Sequence, residues 1–398
     1  MKKIIVITLA VILIPLVAWL MFRDSSTPLV ETIIEGLPFG TGEDINIPAL
    51  SDPNATLGEA TSFDQPSTEQ RVIRISNTPV AGFVSLTQGS TTIIRYVDRA
   101  TGHIYNHNLN TGEKIKIVNQ TLPKIYEAYF RADGGAVLLR SLVSNSDKGE
   151  NITLTLTPPR SASSTEQYAV SSAKLRDDMD SVAVGNGNTL YYVAKDTSSV
   201  ISSTFTGTEV KTLFNSAFDS WRTFKLGSGV GVYSKASASL SGIVYSLNGS
   251  ALSKVVGPFR GLTAVGHPSV NRIIYSYYEG GRTKLFFKNI GQTGDLEILP
   301  ASLAEKCVFS NKNTNVFFCG TPVNGISGTE PDSWYAGTTH FADHVWKFDT
   351  SSEISQLIVE PKAEFDLDLD IYEPKLSPNE DFLIFINKRD MTLWAIKL

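Results

Sequence analysis

Beyond Gln70 the apolar residues recur in short β-rich runs between turn signals, with hardly a helical period among them. The clearest runs cover 93–97, 136–139, 190–193, 230–233, 272–275, 316–319 and 382–386. Their landmarks Ile93, Val137, Leu190, Val230, Ile273, Val316 and Leu383 follow one another at intervals of 44, 53, 40, 43, 43 and 67 residues. A period near 43 with two insertions is the spacing of four-stranded propeller blades. Most runs are apolar at successive positions, as expected for inner strands buried on both faces between neighbouring blades. In the first unit, Asp98-Arg99-Ala100-Thr101-Gly102 and Asn108-Leu109-Asn110-Thr111-Gly112 each place Gly where a hairpin needs a positive φ. The last unit ends after its third strand, at 392–396, whereas 71–75 stands alone before the first full unit. Pairing these two segments removes the open edge of a broken ring. The predicted fold is therefore all-β, a single β-propeller of about seven four-stranded blades closed by pairing of an N-terminal strand with the last blade.

The N-terminus has a different pattern. An uninterrupted apolar run of nineteen residues extends from Ile4 to Phe22, and at about 1.5 Å per residue it spans roughly 28 Å, close to the hydrocarbon thickness of a bilayer. It exceeds the usual apolar region of a signal peptide, lacks a small-x-small cleavage site, and is followed by no lipid-bearing Cys. We read 1–23 as one transmembrane helix retained as an anchor, with a cleaved signal as the alternative. Lys2 and Lys3 place its start in the cytoplasm, so the remaining chain lies outside the cytoplasmic membrane. Residues 24–70 are rich in Pro, Gly, Ser and Thr and carry nine acidic residues with no Lys or Arg, which reads as a linker with a reach on the order of 40 Å. Residues 71–398 form the propeller.

The acidic linker accounts for the net charge of −5; the chain after Gln70 is close to neutral, at about +1. There is no basic field for nucleic acid, and that class of partner is set aside. The expected partners are the membrane, through residues 4–22, and a cell-envelope protein or polymer.

The stretch 372–385 contains Lys375-Leu376-Ser377-Pro378-Asn379-Glu380 followed by the apolar run from Phe382, and weaker copies of its turn occur at Arg131-Ala132-Asp133-Gly134 and Ser310-Asn311-Lys312-Asn313. This pattern resembles the repeat of TolB-type, WD-like propellers, which carry Ser-Pro-Asp-Gly between their first two strands; here Asn379-Glu380 replaces Asp-Gly. The resemblance is at superfamily level. It implies binding or scaffolding at the cell envelope as the commonest role and implies no particular ligand.

Candidate chemistry is sparse. Cys307 and Cys319, the only cysteines, flank a hairpin whose turn centres near Asn313, which pairs Cys307 with Cys319 and Phe309 with Phe317 on one face. That pairing suits either a cross-strand disulfide in an oxidising compartment or two buried thiols. His340 and His344 are four residues apart, but the segment runs into a strand and lacks a third ligand, so they read as surface histidines and no metal is expected. From Glu364 to Ile371 the sequence alternates strictly, predicting a half-buried strand with Asp366, Asp368 and Asp370 in a row on its solvent face. The longer insertion, 320–342, carries Trp334 and Tyr335 and shares a rim with that row. Aromatics beside carboxylates there form a candidate surface for a protein or glycan, unless Trp334 folds into a local cluster.

Tyr126-Glu127 and Tyr372-Glu373 occupy matching positions at the start of innermost strands, facing the central channel or its mouth. Glu127 and Glu373 could serve as paired carboxylates for glycoside hydrolysis, which makes them the main enzyme hypothesis. No Gly-x-Ser-x-Gly elbow, phosphate-cradling loop or zinc motif is present. The expectation is a non-enzymatic, cofactor-free, membrane-tethered binding or scaffolding module. A glycan-active enzyme and a purely structural scaffold are the alternatives.

Overall fold

The computed structural model describes residues 71–142, 149–159, 167–218, 220–326 and 330–398. Among these residues, seven antiparallel sheets of four strands each form the blades of a propeller. Blade 1 spans 80–118, blade 2 125–174, blade 3 179–215, blade 4 221–260, blade 5 263–298, blade 6 307–359 and blade 7 371–397. In six blades the strands follow chain order. In blade 7 the outer strand is Val72–Arg74, whose residues face Ile396, Ala395 and Trp394 across the ladder.

All seven apolar runs fall on the second strand of a blade. These strands have a hydrogen-bonded neighbour on each side and a neighbouring blade on each face, so they hold near-continuous buried stretches such as 383–387 and 316–322. Seven apolar clusters lie one in each interface between adjacent blades, including the interface that closes blade 7 onto blade 1, and an eighth gathers Leu303, Ile326 and Trp334. Innermost strands approach so closely that a Cβ on Gly82 would lie 1.9 Å from the carbonyl oxygen of Ala128 in the next blade. Only glycine fits there.

The repeat turns also join neighbouring blades. Ser377 Oγ accepts from the amides of Asp381 (3.1 Å) and Phe382 (3.0 Å). Glu380, at the position where the TolB-type repeat has Gly, adopts a φ of 55°. Its carboxylate accepts from Ser310 Oγ (2.6 Å) and from the amides of Asn311 (2.6 Å) and Lys312 (3.0 Å) in the corresponding turn of blade 6. Charge-assisted bonds between turns offset the strain of a left-handed, non-glycine residue.

The strand expected over 364–371 does not form. Pro361–Phe365 is a short helix with Pro at its first turn and Asp366 ending it at a φ of 54°. Glu364 folds back to accept from the amide of Glu360 at 2.8 Å. Local capping and a proline at N1 outweigh the alternating pattern, and Phe365 is left exposed. No helix among the described residues is long and apolar enough to cross a membrane; the anchor at 4–22 and the linker lie outside the described residues.

Candidate functional site

The start of each innermost strand lies at one mouth of the channel. The ladder slips in register between Ile125 and Glu127 in blade 2, between Met179 and Val182 in blade 3, and between Tyr372 and Lys375 in blade 7. Bulges of this kind re-aim side chains. In blade 7 the slip is accompanied by a φ of 50° at Glu373, a strained geometry for a non-glycine residue that marks a position worth functional attention.

Tyr126, Glu127, Tyr129, Tyr372 and Glu373 are all half-buried. Glu127 Oε2 accepts from Arg140 Nη1 at 2.5 Å and from the Tyr129 hydroxyl at 3.1 Å. The Arg140 guanidinium lies 5.3 Å from the centre of the Tyr126 ring and is further fixed by Asn151 Oδ1 (3.1 Å) and the carbonyls of Met179 (2.6 Å) and Asp180 (2.8 Å). Arg140 is therefore fully committed to the wall. Glu373 has no Lys or Arg within ion-pair distance among the described residues. Desolvation raises its carboxyl above the usual carboxylate range; Lys375 opposes the shift, and the like charges of Glu127 and Glu305 reinforce it.

Glu305, which the sequence reading missed, completes this group. It belongs to a 3-10 turn, Ala304–Lys306, just before the first strand of blade 6. Its Oε1 accepts from the hydroxyls of Tyr233 (2.6 Å) and Tyr335 (2.8 Å), and both phenols are held well above their ordinary range, first by burial and then by this carboxylate. Glu305 also forms no ion pair among the described residues. A signal was available in the sequence. Glu127, Asp180, Arg222, Glu305 and Glu373 all stand at or just before the start of an innermost strand, so the period that located the blades also locates this ring of charge.

The rim insertion is closed down. Between the second and third strands of blade 6 lies a short helix, Asp332–Ala336, which carries Trp334.

 Its indole is fully buried: Trp334 Nε1 donates to both carboxylate oxygens of Asp370 at 3.1 Å, and the Trp334 amide donates to Glu330 Oε2 at 2.8 Å. Beneath it lies Lys306, also fully buried, with Nζ 2.5 Å from Asp370 Oδ1, 2.8 Å from Asp343 Oδ2 and 3.0 Å from the carbonyl of Ile371. The ammonium sits 4.9 Å from the Trp334 ring and 5.2 Å from the Phe341 ring. Asp343 Oδ1 is buried without a hydrogen-bond partner. Burial raises the Asp343 carboxyl to about 6, with Lys306 pulling it down and Asp370 pushing it up.

These contacts correct the expected rim surface. The insertion and the segment before blade 7 do meet, but through buried groups, because Trp334 and Asp370 satisfy each other and Lys306 requires both carboxylates. Neither is available to a partner at the surface. Asp366 and Asp368 are not in a row with Asp370. They bind Lys362 at 2.7 and 3.2 Å on the exterior. Tyr335 alone among the expected rim residues reaches the channel, through Glu305. The two histidines lie apart, His340 3.7 Å from Asp370 and His344 3.4 Å from Glu360, and no group of metal-ligating side chains occurs among the described residues. Cys307 and Cys319 are joined by a disulfide with an S–S distance of 2.04 Å.

Trp334 also connects the buried cluster to the channel, since its ring meets Tyr372 edge to face at 5.9 Å. The opposite end of the channel is chemically plainer: a cavity of about 290 Å³ lined by Val265, Gly266, Phe309, Leu376 and Lys375. Lys375 Nζ is already engaged there, donating to the Phe83 carbonyl at 2.6 Å.

No protein-family model and no curated protein matches the chain. Solved structures do. An oligogalacturonate lyase from Vibrio parahaemolyticus aligns over 84% of this chain and 95% of its own at 11% identity, with a TM-score of 0.53. YCF48 bound to D1 peptide aligns over 82% and 96% at 12% identity, with a TM-score of 0.52. TolB from Acinetobacter baumannii aligns over 65% and 59% at 11% identity, with a TM-score of 0.40, too slight a likeness to argue from. The first two share the fold, and one is named as an enzyme while the other is described with a bound peptide.

Proposed function

We propose that this chain is a membrane-tethered, extracytoplasmic β-propeller that binds a cationic segment of a cell-envelope partner at the channel mouth. The observation that carries the reading is the convergence of Glu305 and Glu373, neither in an ion pair among the described residues, with Tyr233, Tyr335 and Tyr372 around them. Phenol faces and hydroxyls beside carboxylates suit an ammonium or guanidinium group, through cation–π attraction and charge-assisted hydrogen bonds. The upward shift at Glu373 comes first from burial, with the like charges of Glu127 and Glu305 adding to it against Lys375, and an entering cation would offset both.

The test is capture of envelope proteins by the full chain in detergent, comparing wild type with Glu373→Gln and Glu305→Gln. Loss of the same partners in both variants supports the reading; an unchanged set refutes it. A second reading, glycan-active chemistry, is favoured by the unequal surroundings of Glu373, shifted upward, and Glu127, held by Arg140. A general acid and an ionised partner need that kind of inequality. Turnover of acidic or neutral oligosaccharides that disappears in Glu373→Gln would select it over capture.

A further inference from the structure

We propose that residues 330–342 are a proton-coupled cover on the channel mouth, closed when the buried Lys306–Asp343–Asp370 cluster holds an extra proton and loosened when that proton leaves. The proposal rests on the channel reading only for what the cover regulates.

The geometry starts with a charge imbalance. Two carboxylates and one ammonium are fully enclosed, with no exposed side-chain surface on any of the three. With both acids ionised the three groups carry a net charge of −1 away from water, offset from outside the cluster by the attraction of Lys388 to Asp370, and holding that charge there is costly. Asp370 is saturated as an acceptor, taking Lys306, the Trp334 indole and the Phe341 amide at 3.0 Å. Asp343 instead has one oxygen bound by Lys306 and the Ile371 amide (2.7 Å), and the other oxygen without a partner. Asp343 is thus the group on which a proton removes the imbalance while breaking the fewest bonds.

What keeps this cluster dry is the cover itself. Trp334 and Phe341 roof the ammonium, and both are tied to Asp370. The same segment reaches over blade 4, where Asp332 Oδ2 accepts from the Ala238 amide at 3.1 Å, and into the mouth, where Tyr335 donates to Glu305. Lifting it would hydrate the cluster and free Glu305 from one of its two phenols together.

The other charged and titratable groups facing the cluster come from every neighbouring element. His340 is 3.7 Å from Asp370, Lys388 lies 5.0 Å from the Trp334 ring, Glu330 accepts from the Trp334 amide, and Glu305 and Tyr372 border it on the channel side. Arg389 Nε donates to the Phe341 carbonyl at 3.2 Å, and His344 and Glu360 pair just beyond Asp343. A protonated His340 would strengthen its contact with Asp370, so it acts in the same direction as Asp343 and must be separated from it.

The sign follows from linkage. The closed state raises the Asp343 carboxyl to about 6, whereas an opened, hydrated cluster would return it to about 4. Closure is fully supported below the lower value and loses that support as pH rises through the upper one. The whole shift corresponds to about a hundredfold change in the opening equilibrium, of which about tenfold falls between pH 5 and pH 8.

The experiment is amide hydrogen exchange on the full chain in detergent, without ligand, at pH 5 and pH 8, with intrinsic exchange rates divided out. Protection of 330–342 should fall about tenfold from pH 5 to pH 8, while 382–387 in the core of blade 7 stays constant. Asp343→Asn should make the profile flat and His340→Gln should leave it in place. In the wild type, carbon NMR of the aspartate side chains should show one carboxyl titrating near 6, a readout that does not depend on any variant folding. Protection that is flat or rises with pH, a dependence that survives Asp343→Asn, or one abolished by His340→Gln overturns the proposal. None of these results touches the capture assay, so the two readings fail separately.

Discussion

Replacing Lys306 with Met removes the cation that bridges two enclosed carboxylates while keeping most of the side chain's volume beneath Trp334. Methionine fills the aliphatic path and can rest against both aromatic rings, so little of the effect comes from packing. The loss is electrostatic. Nζ contacts Asp370 at 2.5 Å, Asp343 at 2.8 Å and the Ile371 carbonyl at 3.0 Å, and none of these groups reaches water. Breaking a buried pair by deleting one partner typically costs about 3 to 5 kcal/mol. Because two acids are orphaned here, Lys306→Met belongs at the upper end of that range at pH 7. The deficit must also depend on pH. Each orphaned carboxyl can escape its penalty by taking a proton, and every pH unit of acidification below its shifted titration point recovers about 1.4 kcal/mol. Urea unfolding of the full chain in detergent, followed by tryptophan fluorescence and circular dichroism at pH 7 and pH 5, measures both quantities. The expected result is a large deficit at pH 7 that shrinks markedly at pH 5, and a variant that also carries Asp343→Asn and Asp370→Asn should regain part of the loss. A deficit below about 1 kcal/mol at pH 7, or one of equal size at both pH values, would refute the view of this cluster as a buried, mutually dependent charge group.

Other measurements address the remaining features. In the wild type, the Asp343 contribution to stability, about 3 kcal/mol from a shift to about 6, is present below about pH 4 and lost as pH rises through 6, so Asp343→Asn should flatten the unfolding midpoint across that window. Glu373→Gln should weaken partner capture about tenfold or more at pH 8 while leaving the unfolding midpoint nearly unchanged or slightly raised, because it removes like-charge repulsion with Glu127 and Glu305. Capture by the wild type should strengthen as pH rises, since Glu373 is shifted upward and binds a cation only when ionised. Replacing both Cys307 and Cys319 with Ser should cost about 3 kcal/mol by reopening the short loop they close, and alkylation of the unreduced, unfolded wild type should label neither cysteine. Deleting 71–75 should lower the unfolding midpoint and produce concentration-dependent association, detected by light scattering, because the Thr392–Lys397 strand then presents an unpaired edge.

The propeller was readable because its second strands obey one rule. Ile93, Val137, Leu190, Val230, Ile273, Val316 and Leu383 sit between two strands and two blades, so each lies in an apolar run that recurs once per blade. The closing pair was readable for a complementary reason: 71–75 had no partner in its own neighbourhood and 392–396 lacked one. The hairpin register at Cys307 and Cys319 also followed from the sequence, since a tight turn fixes which residues face each other. Side-chain chemistry at the rim was less legible. Glu364 to Ile371 alternates as a strand would, yet Pro361 and the fold-back of Glu364 set a helical turn that no period-2 count detects. The fate of Trp334 depended on Lys306 and Asp370, far from it in sequence and drawn to it only by the need of a buried ammonium for two carboxylates. Glu305 was missed because it precedes its strand by two residues within a 3-10 turn, outside the apolar run that signals the blade.

The pairing of Val72 with Ile396 has a consequence for the order in which the molecule assembles. The strand that closes the ring is made before blade 1, but its partner is made only after blades 1 to 6. Throughout synthesis the Val72–Arg74 strand must wait unpaired, while blades 1 to 6 can each form from contiguous chain. The final step is then a single contact of very long sequence separation, the kind that slows folding most. Loss of the Thr392–Lys397 strand would therefore do more than shorten one blade. It would leave the first strand of the domain with nothing to join.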